Sequence, residues 1–413
     1  MRVLAGKAAE KRVRELAQRA SRLEAVEPRV RRIVAEVRRN GDRALLKYAR
    51  KWDGLQTDQP LRVSSSEIRA AWKAASLDLR SALERAAANI RRFCEWQKPA
   101  EWMRKKDGMS LGQLVRSLDC VGCYVPGGRY PLPSTLLMTV IPAQVAGVRE
   151  IRVVSPKPQP ETLAAAAMLG VTEFYRIGGA HAIAALAYGT SSIPRVDKIV
   201  GPGNLYVTAA KKLVAFDCSI DFLAGPTEVV IVAERGDAAF IAADLVAQAE
   251  HDPEALAIFI TSRRALAEEV AACADEAAKS NAIARQSLAA NGVALVAASH
   301  AQALAWANLV APEHITVARG DVAAVRSAGS VFIGEYSPQA VGDYASGPNH
   351  VLPTAGAARY RGGLSVLDFL KLITVQEVSP AALRRIAPVV TRLAEAEGLQ
   401  AHAESVRVRC AHA

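Results

Sequence analysis

Cys120-Val-Gly-Cys-Tyr-Val125, Ile151-Arg-Val-Val154, Phe174-Tyr-Arg-Ile177 and Lys198-Ile-Val200 are four short apolar runs, separated by mostly Ala-rich stretches of helical length at 134–146, 161–169 and 180–188. β-Branched side chains suit a pleated strand, and Ala favours helix. Strands that alternate with helices call for parallel βαβ units covered on both faces. The rhythm then repeats. Val229-Val-Ile-Val-Ala233 reads as a strand, Asp237 as the cap of a helix reaching about Glu250, and further strands follow at 257–261, 293–296, 315–317 and 331–334. Ala224-Gly-Pro226 is the expected crossing point between the two halves. The predicted fold class is α/β, with two Rossmann-like parallel-sheet units and helical N- and C-terminal extensions.

Outside these units the pattern is helical. Pro28-Arg-Val-Arg-Arg-Ile-Val-Ala-Glu-Val-Arg-Arg-Asn-Gly41 has apolar positions at helical spacing, Pro near its start and Gly as a stop. Asp42 is expected to cap the next helix, 43–51, and Ser66 or a neighbour the one after it. The last fifty residues are expected to return to helix. The net charge of +11 comes largely from Arg scattered through amphipathic helices, without interleaved aromatic residues. Solvated helix faces explain it, and no nucleic-acid partner is expected. The chain shows neither a signal-peptide pattern nor an apolar run of membrane-spanning length, so a cytoplasmic protein without a membrane partner is expected. Six cysteines are widely spread, and Cys120-Val-Gly-Cys123 lies in a predicted strand without a second pair. Buried unpaired thiols are the expectation.

Two Gly-rich loops follow strands and precede helices: Val125-Pro-Gly-Gly128 and Gly201-Pro-Gly-Asn204. Glycines there permit positive φ and close approach, and helix starts favour phosphate. Neither loop is G-x-G-x-x-G, which occurs nowhere in the chain, so tight turns and nucleotide loops remain equal readings.

Candidate chemistry is concentrated in short islands. Gln248 and His251, three residues apart at a helix end, would share one face, with Asp252-Pro253 ending the helix. Taken alone, the pair reads better as a helix end whose histidine favours the dipole than as a metal site. Asp343 sits in a Gly-bounded loop after a strand, and His350 follows seven residues later. Glu313-His314 stands at a strand entrance, a placement suited to proton transfer near neutral pH or to an ordinary solvated pair. His402, five residues from Glu397, reads by itself as a surface histidine.

In this order and spacing, the segments resemble the histidinol dehydrogenase family through nearly the whole chain. The resemblance rests on Gly122-Cys-Tyr-Val-Pro-Gly-Gly, Gly178-Gly-Ala-His-Ala-Ile-Ala-Ala, Val196-Asp-Lys-Ile-Val-Gly-Pro-Gly-Asn, Ala224-Gly-Pro-Thr-Glu-Val and Gln248-Ala-Glu-His. It continues through Ala311-Pro-Glu-His, Gly342-Asp-Tyr-Ala-Ser-Gly-Pro-Asn-His-Val-Leu-Pro-Thr354 and Leu399-Gln-Ala-His402.

The resemblance implies oxidation of L-histidinol through the aldehyde to L-histidine with two NAD⁺, in histidine synthesis. A related zinc dehydrogenase acting on another alcohol, such as a sulfonated diol, is the alternative. By resemblance Gln248, His251, Asp343 and His402 hold one Zn²⁺ per subunit. His402 then comes from the partner of a homodimer with shared active sites. Glu313 and His314 are the implied acid/base residues. Thr227, His350 and Glu397 are the implied substrate contacts, together with His314 and the metal ligands. Tyr124, His181 and Asn204 are the implied NAD contacts. Two positions depart from the family's usual residues: His181 stands where Gln is usual and Thr227 where Ser is frequent. The expected organisation is an arm at 1–20, a first α/β domain formed by 21–122 with 227–364, and a second at 123–226. A helical tail at 365–413 is expected to make the dimer contact.

Overall fold

A computed structural model of the chain describes residues 1–19, 23–127 and 131–411. Gly128, from the first Gly-rich loop, lies outside the described residues. In chain order the strands are β1 (Arg2–Ala5), β2 (Trp102–Lys106), β3 (Met109–Ser117), β4 (Cys120–Tyr124), β5 (Glu150–Val154), β6 (Glu173–Tyr175) and β7 (Lys198–Val200). There follow β8 (Ser219–Ile220), β9 (Glu228–Val232), β10 (Leu256–Thr261), β11 (Val293–Val296), β12 (His314–Val317), β13 (Ser330–Ile333) and β14 (Leu370–Val378). The residues divide into two units, one of 1–97 with 118–368 and one of 98–117 with 369–413.

The larger unit holds both parallel sheets, as the alternating pattern predicts. One has five strands in the order β6-β5-β4-β7-β8, and the other six in the order β1-β11-β10-β9-β12-β13. The side chains of the six-stranded sheet alternate between two apolar layers. Val230, Ile258, Val293 and Ile315 pack with Ala9, Val13 and Trp306 on one face. Val229, Ile231 and Phe259 pack with Leu245, Val270 and Leu288 on the other. Burial on both faces is why these strands are unbroken apolar runs. In the five-stranded sheet the order reverses between β4 and β7, and both Gly-rich loops leave the carboxyl ends of those two strands. Such a crevice is where open α/β sheets receive ligands.

Several boundaries differ from expectation. Residues 2–5 are an edge strand paired with β11, and the helix Gly6–Ala17 buries Ala9, Val13 and Leu16, so the first segment is built into the sheet and is no free arm. The helix Glu27–Asn40 packs on helices Gly179–Tyr188 and Leu205–Val214, against the five-stranded sheet; it was expected with the other sheet. Asp42 does not cap by its side chain; it accepts a hydrogen bond from Ser192 instead, while Ser64 caps the helix Ser65–Ala74. Cys94, Cys120, Cys123 and Cys218 are buried free thiols, as expected, and burial raises Cys120 to about 11 and Cys123 to about 12. No helix among the described residues is long and apolar enough to cross a membrane.

The smaller unit contains an antiparallel sheet, β14-β3-β2, which the sequence pattern did not reveal. Its nine-residue β14 replaces helix at 370–378, and the helices Pro380–Ala396 and Gln400–Ala411 follow it.

Candidate active site

The helix His300–Val310 ends at Ala311, which adopts the left-handed region at φ 50°, ψ 65°. A non-glycine residue there carries strain, and at this position it turns the chain through Pro312 into Glu313 and the first residue of β12, His314. His314 lies opposite Val229 in the parallel ladder, so Glu313 meets the residues that open β9, Thr227 and Glu228. Glu313 is buried, and its Oε2 accepts hydrogen bonds from the Thr227 hydroxyl and, at 2.8 Å, from the Glu228 N–H. The Thr227 hydroxyl in turn accepts from the Gln248 side-chain amide.

His314 is 3 % exposed, so its ring nitrogens have few possible partners. Its Nδ1–H donates to the Glu228 carbonyl at 3.2 Å, and its Nε2 lies 3.6 Å from Asp343 Oδ1. Holding the proton on Nδ1 presents Nε2 as the working nitrogen. Burial pushes the Glu313 carboxyl well above the ordinary carboxylate range. Burial works against the charged form of His314, but Glu313 and Asp343 outweigh it and raise the imidazole above its usual value. Asp343 is also opposed by burial, yet His314, with smaller contributions from His350 and His251, keeps its carboxyl below the usual range. Burial lowers His350, whose Nδ1–H donates to the Asp343 carbonyl at 2.7 Å.

A cavity of about 200 Å³ brings Thr227, Gln248, His251, Glu313, His314, Asp343 and His350 together. Two local expectations change. Asp343 is on a short helix, Gln339–Tyr344, and not in a loop; His251 follows the end of the helix Ala238–Ala249, so it and Gln248 converge from a helix and the turn after it. Thr135 and Thr354 also line this cavity; Thr354 Oγ1 accepts from the Gly225 N–H. Thr354 ends the Gly342–Thr354 segment that carries the family resemblance, whereas nothing in the sequence around Thr135 marks it.

Gln248 donates a side-chain amide N–H to Thr227, so its carbonyl oxygen is the atom that could hold a cation. With the His251 imidazole and the ionised Asp343 carboxylate, the donor set suits a divalent cation of the zinc type. Among the described residues no three His, Cys, Asp or Glu side chains form a metal cluster by themselves. His402 lies in the helix Gln400–Ala411 of the smaller unit, and Glu397 ends the preceding helix of that unit, so the two belong to successive helices.

Tyr124 closes β4, is 3 % exposed, and accepts a hydrogen bond from the Gly179 N–H at 3.1 Å. Asn204 caps the helix Leu205–Val214, its Oδ1 accepting from Tyr206 and Val207 N–H. His181, the third of the implied NAD contacts, is buried. It is 1 % exposed, donates from Nε2 to Asp53 Oδ2 at 2.7 Å, and is flanked by the Tyr48 and Trp52 rings. Asp53 Oδ2 also accepts the Gly178 N–H at 3.0 Å. The residue therefore braces the Gly178–Gly179 turn from the core.

The model of a family described as histidinol dehydrogenase matches residues 16–410. The chain belongs to the histidinol dehydrogenase family. It is accordingly an NAD-linked oxidoreductase of the α/β class. A histidinol dehydrogenase from Methanothermobacter thermautotrophicus is 47 % identical over 416 residues, covering 97 % of each chain. One from Thermus thermophilus is 48 % identical over 394 residues, covering 93 % of this chain and 94 % of that one. The crystal structure of the Elizabethkingia anophelis histidinol dehydrogenase superposes with a TM-score of 0.92 at 36 % identity, covering 99 % of this chain and 98 % of that one.

Proposed function

We propose that the chain oxidises L-histidinol through L-histidinaldehyde to L-histidine with two NAD⁺, in the cavity of Glu313 and His314. The observation that carries this reading is the convergence of a buried acid/base pair with Gln248, His251 and Asp343 in one cavity. His314 Nε2 takes the hydroxyl proton as the carbinol carbon gives its hydride to NAD⁺. Glu313 then takes a proton from water as the water oxygen bonds to the aldehyde carbon, and the resulting hydrate anion would give its hydride to a second NAD⁺ as its C–O⁻ becomes the carboxyl C=O. Thr227 and the Glu228 N–H keep the Glu313 carboxylate oriented for that step. Tyr124 and Asn204, at the carboxyl ends of β4 and β7, are the proposed dinucleotide contacts, with His181 supporting the loop beside them.

Gln248, His251 and Asp343 would hold a Zn²⁺, with the partner subunit's His402 as the fourth ligand. The ion, when bound, orients the amine and imidazole of the substrate. His350 and Glu397 are the proposed remaining substrate contacts. Exposed apolar side chains on the smaller unit, among them Leu372, Ile373, Val389 and Leu393, support a homodimer in which this unit is covered.

NADH formation with histidinol and with dihydroxypropanesulfonate, together with metal analysis and chelator treatment, tests the reading. Activity on histidinol that is lost with the metal is expected; activity on the sulfonate alone would overturn it. Glu313→Gln should slow the aldehyde-to-acid half more than the first oxidation, and equal loss in both halves would contradict the role of Glu313.

A further inference from the structure

A guanidinium carries five N–H groups, and every one at Arg19 is donated. Nε donates to Glu228 Oε1 at 2.6 Å, and one terminal nitrogen to the Leu16 and Val310 carbonyls at 2.6 and 2.7 Å. The other donates to Glu228 Oε2 and, at 3.4 Å, to the Ala311 carbonyl. Glu228 itself is 2 % exposed, and its Oε1 also accepts the Ala355 N–H at 2.9 Å.

The main chain of Glu228 is the link to the chemistry. Its N–H holds the Glu313 carboxylate and its C=O holds the His314 Nδ1–H. On the other side, Val310 and Ala311 form the strained turn that delivers Pro312, Glu313 and His314. One side chain therefore grips both the strand start that orients the pair and the turn that presents it.

We propose that Arg19 and Glu228 are positioning residues for the Glu313–His314 pair, fixing β9 and the 310–312 turn in the register from which both side chains act. The proposal rests on the roles given above to Glu313 and His314. An ion pair this buried adds little net stability over an apolar replacement, so its physical effect here is geometric. Lys, with a single point charge on a flexible stem, cannot reproduce the forked contact to the carboxylate and three carbonyls.

Arg19→Met/Glu228→Gln, which removes both charges together, and Arg19→Lys are compared with Glu313→Gln and His314→Asn. The full-length metal-loaded enzyme is used, with histidinol and, separately, histidinaldehyde as substrate. The double variant should unfold within about 5 °C of wild type, because three carbonyls lose a donor, and should keep its KM for histidinol, while kcat falls by about 10- to 100-fold in both half-reactions, the scale of an ångström-level misplacement. Arg19→Lys should recover only part of that loss, and it carries the test if the double variant does not fold. Wild-type kcat in both halves for either folded variant, or a loss explained wholly by unfolded protein, overturns the proposal. If Glu313→Gln and His314→Asn leave both halves intact, the underlying functional reading fails and the proposal falls with it. If those two lose activity and the Arg19 and Glu228 variants do not, the positioning role alone is refuted.

Discussion

Lys211→Met should be among the more damaging single substitutions away from the catalytic pair. Lys211 is buried on the helix Leu205–Val214, with its side chain against Asp221, whose own side chain is 0 % exposed. Nζ also donates to the Gly201 carbonyl at 3.0 Å, while Asp221 accepts the Gly201 N–H at 2.8 Å and the Phe222 N–H at 2.6 Å. The pair thus closes a ring around Gly201, the first residue of the second Gly-rich loop. Burial pushes the Lys211 amine below its ordinary value even with Asp221 beside it, so neither charge has water to fall back on. Removing the amine strands a buried carboxylate, which costs about 3–5 kcal/mol. The Gly201 carbonyl loses its donor as well, adding about 1 kcal/mol. With an unfolding entropy of about 2.1 cal/mol/K per residue, a loss of roughly 4–6 kcal/mol in 413 residues lowers the unfolding midpoint by roughly 4–7 °C. Adding Asp221→Asn removes the stranded charge and keeps an acceptor for one of the two backbone N–H groups, which sit on different carboxylate oxygens. The double variant should therefore recover about 1–2 kcal/mol of the loss, within the coupling of about 0.5–3 kcal/mol found for residues in contact. Calorimetry on the four proteins of the cycle, with KM for NAD⁺ measured on each, decides the matter. A single-variant loss below about 1 kcal/mol, or a double variant as damaged as the sum of the singles, would refute the reasoning.

Other outcomes follow from equally local features. Gly201 has φ +113°, and a Cβ there would lie 2.1 Å from the Tyr124 carbonyl oxygen. Gly201→Ala should cost about 1–3 kcal/mol from backbone strain alone and weaken NAD⁺ binding; unchanged stability and affinity in calorimetric titration would contradict the close approach. Phe259 is wholly buried between β10 and its covering helices, so Phe259→Ala should cost about 3–5 kcal/mol in denaturant unfolding, and a loss under about 1 kcal/mol would mean the layer is not packed as described. His300 is raised above its ordinary value by its hydrogen bond to Asp321, 2.8 Å away, against burial and with help from Glu234. A folded value above the unfolded one means the stabilisation is complete below about pH 6.5 and is lost as pH rises through the folded value. The difference in unfolding midpoint between wild type and His300→Gln should be larger at pH 6 than at pH 9; a constant difference would show that the charge is not involved.

Both parallel sheets were legible because strands buried on two faces are written as unbroken runs such as Val229-Val-Ile-Val. The antiparallel sheet was not. Trp102-Met-Arg-Lys-Lys106 is exposed along its whole length, so no face imposes an alternation on it, and β14 is exposed at most of its positions. Arg2–Ala5 is too short to announce itself and becomes a strand only because β11 offers an open edge. At the site, adjacency marked Glu313 and His314 as candidates. Their roles, and those of Gln248 and Asp343, came from family resemblance, because nothing local says that residues 227, 248, 313 and 343 converge. Arg19, Lys211 and Asp221 carry no local signal at all. Their importance lies in partners 209 and 10 to 20 positions away and in burial, neither of which a linear pattern encodes. His181 shows the converse. Family resemblance implied a cofactor contact there, and nothing in the linear sequence shows that Asp53 and two aromatic rings surround the imidazole.

The pairing of β3 with β14 joins residues 109–117 to residues 370–378 across nine register positions. On the ribosome, β3 therefore emerges long before its partner is made. At about 5–20 residues per second, the intervening stretch of roughly 250 residues takes about 12–50 seconds to synthesise. Throughout that interval one edge of β3 has no strand to pair with, a condition that favours wrong partners. The two parallel sheets can form meanwhile, but the smaller unit closes only once β14 has emerged. Truncations that remove β14 should therefore yield chains prone to association, and slow synthesis between β3 and β14 lengthens the vulnerable period.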